Sequence, residues 1–383
     1  MPGDITLPAI DIRRKKSMSN FLMVDAHLHF ENISLIEDTK SFFQELGIEK
    51  LNIVSPARLD RVNSNPQAMC FKAMYPDDVY IAGGLDYSEI EGKPEREIEK
   101  MLADQVLKLK EIGFDGVKIL ETKPNYAKNM PFPIDSPVYH SFFAHLEELQ
   151  LPIFWHVADP EEFWDIEKVP PVAKERGWSY INGTYPPKED LYRRVDNVLR
   201  MFPNLRIVFA HFYFLSADLK RAGKLLEDFP NINLDITPGS EMYYNFSRNP
   251  EETRKFFINY QNRIVFGDDT AISRDGIKKD LIRNKINFIK NFLETEKEFS
   301  IGSADENFLA RSDKIKGIKL PDSALEKIYG LNFLQIAGDK PRTLNIALAE
   351  EECHRIGEIL KRKYRYPAEE NFGYQAEKFL KEI

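Results

Sequence analysis

Cysteine is nearly absent, with two residues, Cys70 and Cys353, in a chain of 383. Their wide separation offers neither a metal-type spacing nor a disulfide framework, so free thiols in a reducing compartment are expected. No apolar run is long enough to span a bilayer. Neither G-x-G-x-x-G nor G-x-x-x-x-G-K-[ST] occurs, which removes the common glycine cradles for nucleotide phosphates. Positive charge is also in deficit: 53 basic against 61 acidic residues give a net charge of −8, which argues against a nucleic-acid surface. In "MPGDITLPAIDIRRKKSMSN" the basic cluster follows the apolar residues, so this start does not read as a signal peptide. Residues 1–20 are expected to form a flexible extension, and the cytoplasm is the expected compartment.

What the chain does have is a recurring apolar rhythm. Short β-rich runs appear as "FLMVDAHLHF" (21–30), "KLNIVSPA" (50–57), "VYIAGGLD" (79–86), "FDGVKIL" (114–120), "LPIFWHVAD" (151–159), "LRIVFAHF" (205–212), "INLDIT" (232–237) and "RIVFGDD" (263–269). Helical patterns separate them. "EREIEKMLADQVLKLKEI" runs into Gly113, and "SPVYHSFFAHLEELQ" opens on Ser136 as an N-cap with Pro137 at the first helical position. Strands that are apolar almost throughout suit a parallel sheet covered by helices. Eight such alternations within roughly 250 residues predict a closed (β/α)8 TIM barrel. A doubly wound open sheet is the alternative, but it would usually carry one of the missing glycine loops. We take the barrel as residues 21–336, followed by a helical extension over 337–383 packed on its outside. A long loop after strand five, "EEFWDIEKVPPVAKERGWSYINGTYPPK", holds Trp164, Trp178, Tyr180 and Tyr185. It reads either as an ordinary excursion pinned by aromatics or as a lid over substrate.

Polar residues at the ends of apolar strands carry the functional signal. His27 and His29, two apart on strand one, point the same way. His156 closes strand five, His211 strand six and Asp268 strand eight, and in a barrel those ends converge on one face. Four of the seven histidines are thus accounted for. The others, His140, His145 and His354, sit in helical patterns and are expected to be surface or packing residues. Each strand-end residue alone has an ordinary structural reading, and Asp268, like Asp269, could simply cap a turn. Together they point to a metal site, because imidazoles buried side by side need a partner and a divalent ion supplies one. Nitrogen ligands with one carboxylate suit zinc, with manganese or iron as alternatives.

The ordered set "VDAHLHF", "PIFWHV", "NLRIVFAHFYF", "INLDIT" and "RIVFGDDTA", followed by "ALEKIYGLNFLQI", resembles the amidohydrolase superfamily, in particular its amidohydrolase-related (amidohydrolase 2) branch. The resemblance implies that His27, His29, His156 and Asp268 bind the metal. It also implies that His211 faces substrate and that Asp268 acts on the attacking water. One Zn2+ is expected. A second metal would be bridged by carbamylated Lys118 at the end of strand four; otherwise Lys118 binds a carboxylate. The branch implies a metal-dependent hydrolase acting on a small substrate, or alternatively a non-oxidative decarboxylase of an unsaturated or aromatic acid. Arg58, Lys118, Lys123, Trp164 and Trp178 are the candidate substrate contacts, and a homodimer is the general default for such enzymes. One departure stands out: "HFYF" follows strand six, where the family often places a glycine after the histidine.

Overall fold

A computed structural model of the chain describes residues 21–58, 62–239, 241–300 and 314–383. The extension expected over residues 1–20 lies outside the described residues. The strands are β1 Val24–Phe30, β2 Lys50–Val54, β3 Val79–Gly83, β4 Gly116–Thr122, β5 Ile153–Val157, β6 Ile207–Phe209, β7 Ile232–Asp235, β8 Ile264–Val265 and β9 Thr270–Ile272. Each of β1 to β7 pairs in parallel with the next, and β9 pairs in parallel with β1. The expected eighth strand, read as one run over 263–269, is instead broken in two. Its first half lies on β7 and its second half on β1. Between the halves, Ala26 N donates to Phe266 O at 3.1 Å and Asp269 N donates to His27 O at 2.9 Å, which joins β1 to the broken strand and closes the TIM barrel.

Alternation sorts the strand side chains into two sets. Leu51, Ile53, Ile81, Val117, Trp155 and Phe209 belong to the large core shared with the helices. Val24, Ala26, Val54, Tyr80, Phe154, Val208 and Val265 fill the barrel interior, where Phe333 and Ile336 from the helix Asn332–Ala337 plug it. Tyr80 meets the Phe333 ring edge-on at 5.0 Å. β1 departs from strict alternation. Its register with β2 shifts between Asp25 and Leu28, so one extra residue enters the strand as a bulge. Val24 and Ala26 face the interior below the bulge; above it the inward positions become His27 and His29, and Leu28 turns to the outer core.

The helices follow their apolar spacing. In Glu95–Ile112 the residues Ile98, Leu102, Val106, Leu109 and Ile112 are buried along one stripe. That helix stops at Gly113, which adopts φ +109. The helix Ile346–Tyr364 packs with Phe372–Glu382 against Asn65–Met74, where Cys70 Sγ lies 3.7 Å from Ala376 O. Cys70 and Cys353 are both buried and unpaired. Among the described residues, no helix is long and apolar enough to cross a membrane.

Gly113 gives a direct check on this packing. A Cβ there would lie 2.3 Å from Thr343 O, and the left-handed φ would be strained for any other residue. Gly113→Ala is therefore expected to destabilise the protein by more than about 1 kcal/mol, the usual scale for an incompatible glycine replacement. Urea unfolding of the variant beside the unmodified chain measures it.

Candidate metal centre

The C-terminal ends of the strands enclose a cavity of about 330 Å³. His27, His29, Lys118, His156 and His211 reach it from the strand ends, Lys123 from just after β4, and Trp178 from the segment after β5. Asp269 joins them. Its Oδ1 lies 3.2 Å from His29 Nε2 and 3.5 Å from His27 Nε2, and its Oδ2 lies 3.7 Å from His211 Nε2. His27, His29 and Asp269 offer ligand atoms within 4.8 Å of one another, a group that can hold a metal ion. His211 stands beside it, its ring 5.8 Å from that of His27 and 4.9 Å from that of His156.

Asp268, expected as the strand-eight carboxylate, points elsewhere. It is fully buried and accepts from Thr270 N at 2.8 Å and from Thr270 Oγ1 at 2.7 Å. The different placement of the two acids has a backbone cause: Asp269 adopts φ +53, which breaks the alternation assumed for the strand and turns the second acid of the pair into the mouth. Asp25 lies behind the site and uses one oxygen twice. Its Oδ1 accepts from His27 N at 3.0 Å and from Asp268 N at 3.2 Å. Burial and the adjacent Asp268 carboxylate raise the Asp25 pKa well above the usual range.

Each histidine has one ring nitrogen committed to an acceptor, which decides the tautomer. His27 Nδ1 donates to Asp235 Oδ2 at 2.9 Å and His29 Nδ1 to Val54 O at 3.0 Å. His211 Nδ1 donates to Thr237 O at 3.2 Å, and His156 Nε2 to Ala158 O at 3.0 Å. The other nitrogen of each ring, Nε2 in three and Nδ1 in His156, is the one left for a different partner. Four imidazoles and one carboxylate form a donor set that suits zinc or a similar divalent ion. Nothing in the sequence marked Asp235 or Thr237 as supports, beyond their place in "INLDIT".

Burial sets the charge state. It pushes His27 down to about 4, with the Lys118 ammonium adding to the effect, and His156 down to about 3, with Lys123 adding. Burial lowers Lys118 to about 8, and its Nζ lies 2.9 Å from His27 Nε2. Burial opposes ionisation of Asp269, yet His27, His29 and His211 outweigh it and hold the carboxyl well below its ordinary range.

The remaining candidates divide. Lys123 Nζ donates to Asp159 Oδ1 at 2.6 Å and lies 4.9 Å from the centre of the Trp178 ring. Asp159 also accepts from Tyr180 OH at 2.5 Å. Phe163, Val169, Ala173 and Tyr180 make a small core of their own in the segment after β5, with Trp164 and Trp178 against it. That segment thus forms a packed cap along one side of the cavity. Trp164 does not line the cavity; it packs on Tyr180 with its Nε1 3.2 Å from Pro186 O. Arg58 does not line it either and is paired with Glu31. His140, His145 and His354 lie away from the cavity, against Phe202, Ala103 O and Glu377 respectively.

The family model described as amidohydrolase matches residues 24–332. Among solved structures, the chain is similar to a putative amidohydrolase from Staphylococcus aureus, with 15% identity, a TM-score of 0.52, and coverage of 82% of this chain and 99% of that one. It is also similar to a probable 2-pyrone-4,6-dicarboxylic acid hydrolase from Acinetobacter baumannii, with 12% identity, a TM-score of 0.45, and coverage of 82% and 99%. A 2,6-dihydroxybenzoate decarboxylase from Rhizobium gives 13% identity, a TM-score of 0.46, and coverage of 83% and 98%. At such identities the likeness is one of fold. No curated protein matches the chain.

The neutral histidines make metal-free protein acid-sensitive. His27 titrates near 4 when folded and near 6.5 when free, so the unfolded chain binds the extra proton between those values. Stability is then complete above the higher value and falls as pH drops through the window. Urea midpoints of metal-free protein are expected to decrease from about pH 7 to about pH 5, with a shallower decrease for His27→Gln.

Proposed function

The chain belongs to the amidohydrolase family of metal-dependent enzymes, and from that premise we propose that it hydrolyses a C–O or C–N bond, as in a lactone, ester or amide, of a small carboxylate-bearing substrate, with one zinc ion. The observation that carries this reading is Asp269, an ionised carboxylate within 3.7 Å of the Nε2 atoms of three histidines and open to the cavity. His27 and His29 would hold the ion through Nε2, Asp269 through a carboxylate oxygen and His156 through Nδ1. Asp269 takes the part that the sequence reading gave to Asp268. A zinc ion held there supplies Lewis acidity and lowers the pKa of bound water from 15.7 to about 7.

The chain's own residues do the rest. Asp269 is ionised across the neutral range, accepts a proton from the attacking water and returns it to the leaving group. His211 keeps Nδ1 on Thr237 O, so Nε2 is the nitrogen it turns to the substrate, as the donor to the developing oxyanion. A preorganised donor of that kind is worth about 3–4 kcal/mol in the barrier. Lys123, held by Asp159 and lying against Trp178, presents the cation that grips the substrate carboxylate. Lys118 remains an amine beside His27 and bridges no second ion. The cap after β5 excludes water from the closed site. Two buried, unpaired thiols support a reducing, cytoplasmic setting.

Elemental analysis of purified protein should find one zinc per chain, and two would return the bridging role to Lys118. The double variant His27→Ala/His29→Ala should lose the metal and still unfold cooperatively. Asp269→Asn should reduce turnover by about 10²–10⁴-fold, the scale of a lost general base, whereas Asp268→Asn should chiefly lower stability. Lactones, esters and anilides assayed beside aromatic acids test the reaction. Carbon dioxide release without hydrolysis would replace this reading with decarboxylation.

A further inference from the structure

After β6 the backbone does something unusual for residues with side chains. His211, Phe212, Tyr213 and Phe214 adopt φ of 53, 56, 56 and 51 in succession. None is glycine, and a left-handed turn is disfavoured for every residue bearing a Cβ. Such a conformation persists only where the surroundings over-determine it. Here His211 N donates to Asp235 Oδ1 at 2.7 Å, and Tyr192 OH donates to Tyr213 O at 2.9 Å. Phe212 stacks on Phe257 at 6.0 Å with 9° between the planes, and Tyr213 lies 4.2 Å from Phe209. The two middle rings are therefore locked into the outer core.

The hand of the turn decides where its ends point. In one helical turn, positions three apart share a side, so His211 and Phe214 face the cavity together while Phe212 and Tyr213 face away. The Phe214 ring lies 5.2 Å from His211, tilted by 30°, and 5.4 Å from His156, tilted by 57°.

We infer that Phe214 is a specificity-determining residue: carried into the mouth on the same left-handed turn as His211, its ring walls the cavity beside the metal-binding histidines and selects a flat, unsaturated group over a puckered one of equal size. The inference rests on the metal-dependent reading above. A planar group can meet this ring and that of Trp178 with offset or edge contacts, whereas a saturated ring presents hydrogens on both faces. The family's customary glycine after the histidine leaves the turn free, but Phe212 and Tyr213 anchor it and so fix Phe214.

The test uses zinc-loaded full-length protein and two probes with one chelating group, benzohydroxamate and cyclohexanecarbohydroxamate, with affinities read by calorimetry. The unmodified protein is expected to prefer the planar probe by about fivefold to tenfold, the range of an aromatic pair contact. Phe214→Ala and Phe214→Leu should lose the preference at unchanged zinc content, and Phe214→Tyr should keep it. If Phe214→Ala does not fold, the Leu and Tyr variants decide. The inference is overturned by zinc-loaded protein that shows no preference, or by a preference that survives in the Leu variant. Protein that takes up no zinc overturns the metal-dependent reading itself, a distinct result.

Discussion

One carboxylate oxygen holds the junction on which the site depends. Asp25 Oδ1 accepts from the backbone of His27 on one side and of Asp268 on the other. It therefore spans the two irregularities that make the mouth: the bulge that turns His27 and His29 inward, and the break in strand eight that turns Asp269 toward them. Burial and the neighbouring Asp268 both raise the Asp25 pKa well above the usual carboxylate range. The side chains of the candidate metal centre thus inherit their geometry from a residue that does not face the cavity.

The electrostatics of the mouth separate into two halves. Around Asp269 the histidine rings are oriented by acceptors on β2, β7 and the segment after β7. Around Asp159 the charges are balanced, with Lys123 and Tyr180 on one carboxylate held far below its ordinary pKa chiefly by Lys123, against the opposing effect of burial. The first half suits a cation and a reacting bond. The second ties the cap to the barrel and leaves a lysine at the edge of the substrate space. Preorganisation of this kind places the cost of desolvating charges on folding instead of on the reaction.

Much of this was legible in the sequence, and what was not had local causes. The eight apolar runs mark the eight barrel positions because parallel strands covered on both faces must be apolar almost throughout. The strand-end histidines are legible for the same reason, since few polar residues interrupt those runs. Asp268 and Asp269 could not be told apart, because alternation assigns the inward side only while the strand continues, and the left-handed backbone at Asp269 ends it. The bulge in β1 was equally hidden. His27 and His29 share a face with or without it, but whether that face is the interior depends on the residue inserted before them. Arg58 read as a substrate contact because a cation just after β2 lies near the mouth in sequence; in space Glu31 claims it. Asp235 and Thr237 left no signal because their work is done by hydrogen bonds to rings distant along the chain.

The plug formed by Phe333 and Ile336, together with the pairing of β1 to β9, has a consequence for how the chain is made. As the polypeptide leaves the ribosome, the strand bearing His27 and His29 emerges first, yet one of its edges stays unmatched until Thr270–Ile272 follows. The barrel's interior lacks its filling until Phe333 is out. Contacts so remote in sequence close slowly. Nascent chains stalled before that point would present an open sheet edge and an apolar hollow, so the helix Asn332–Ala337 belongs to the barrel and is no dispensable tail.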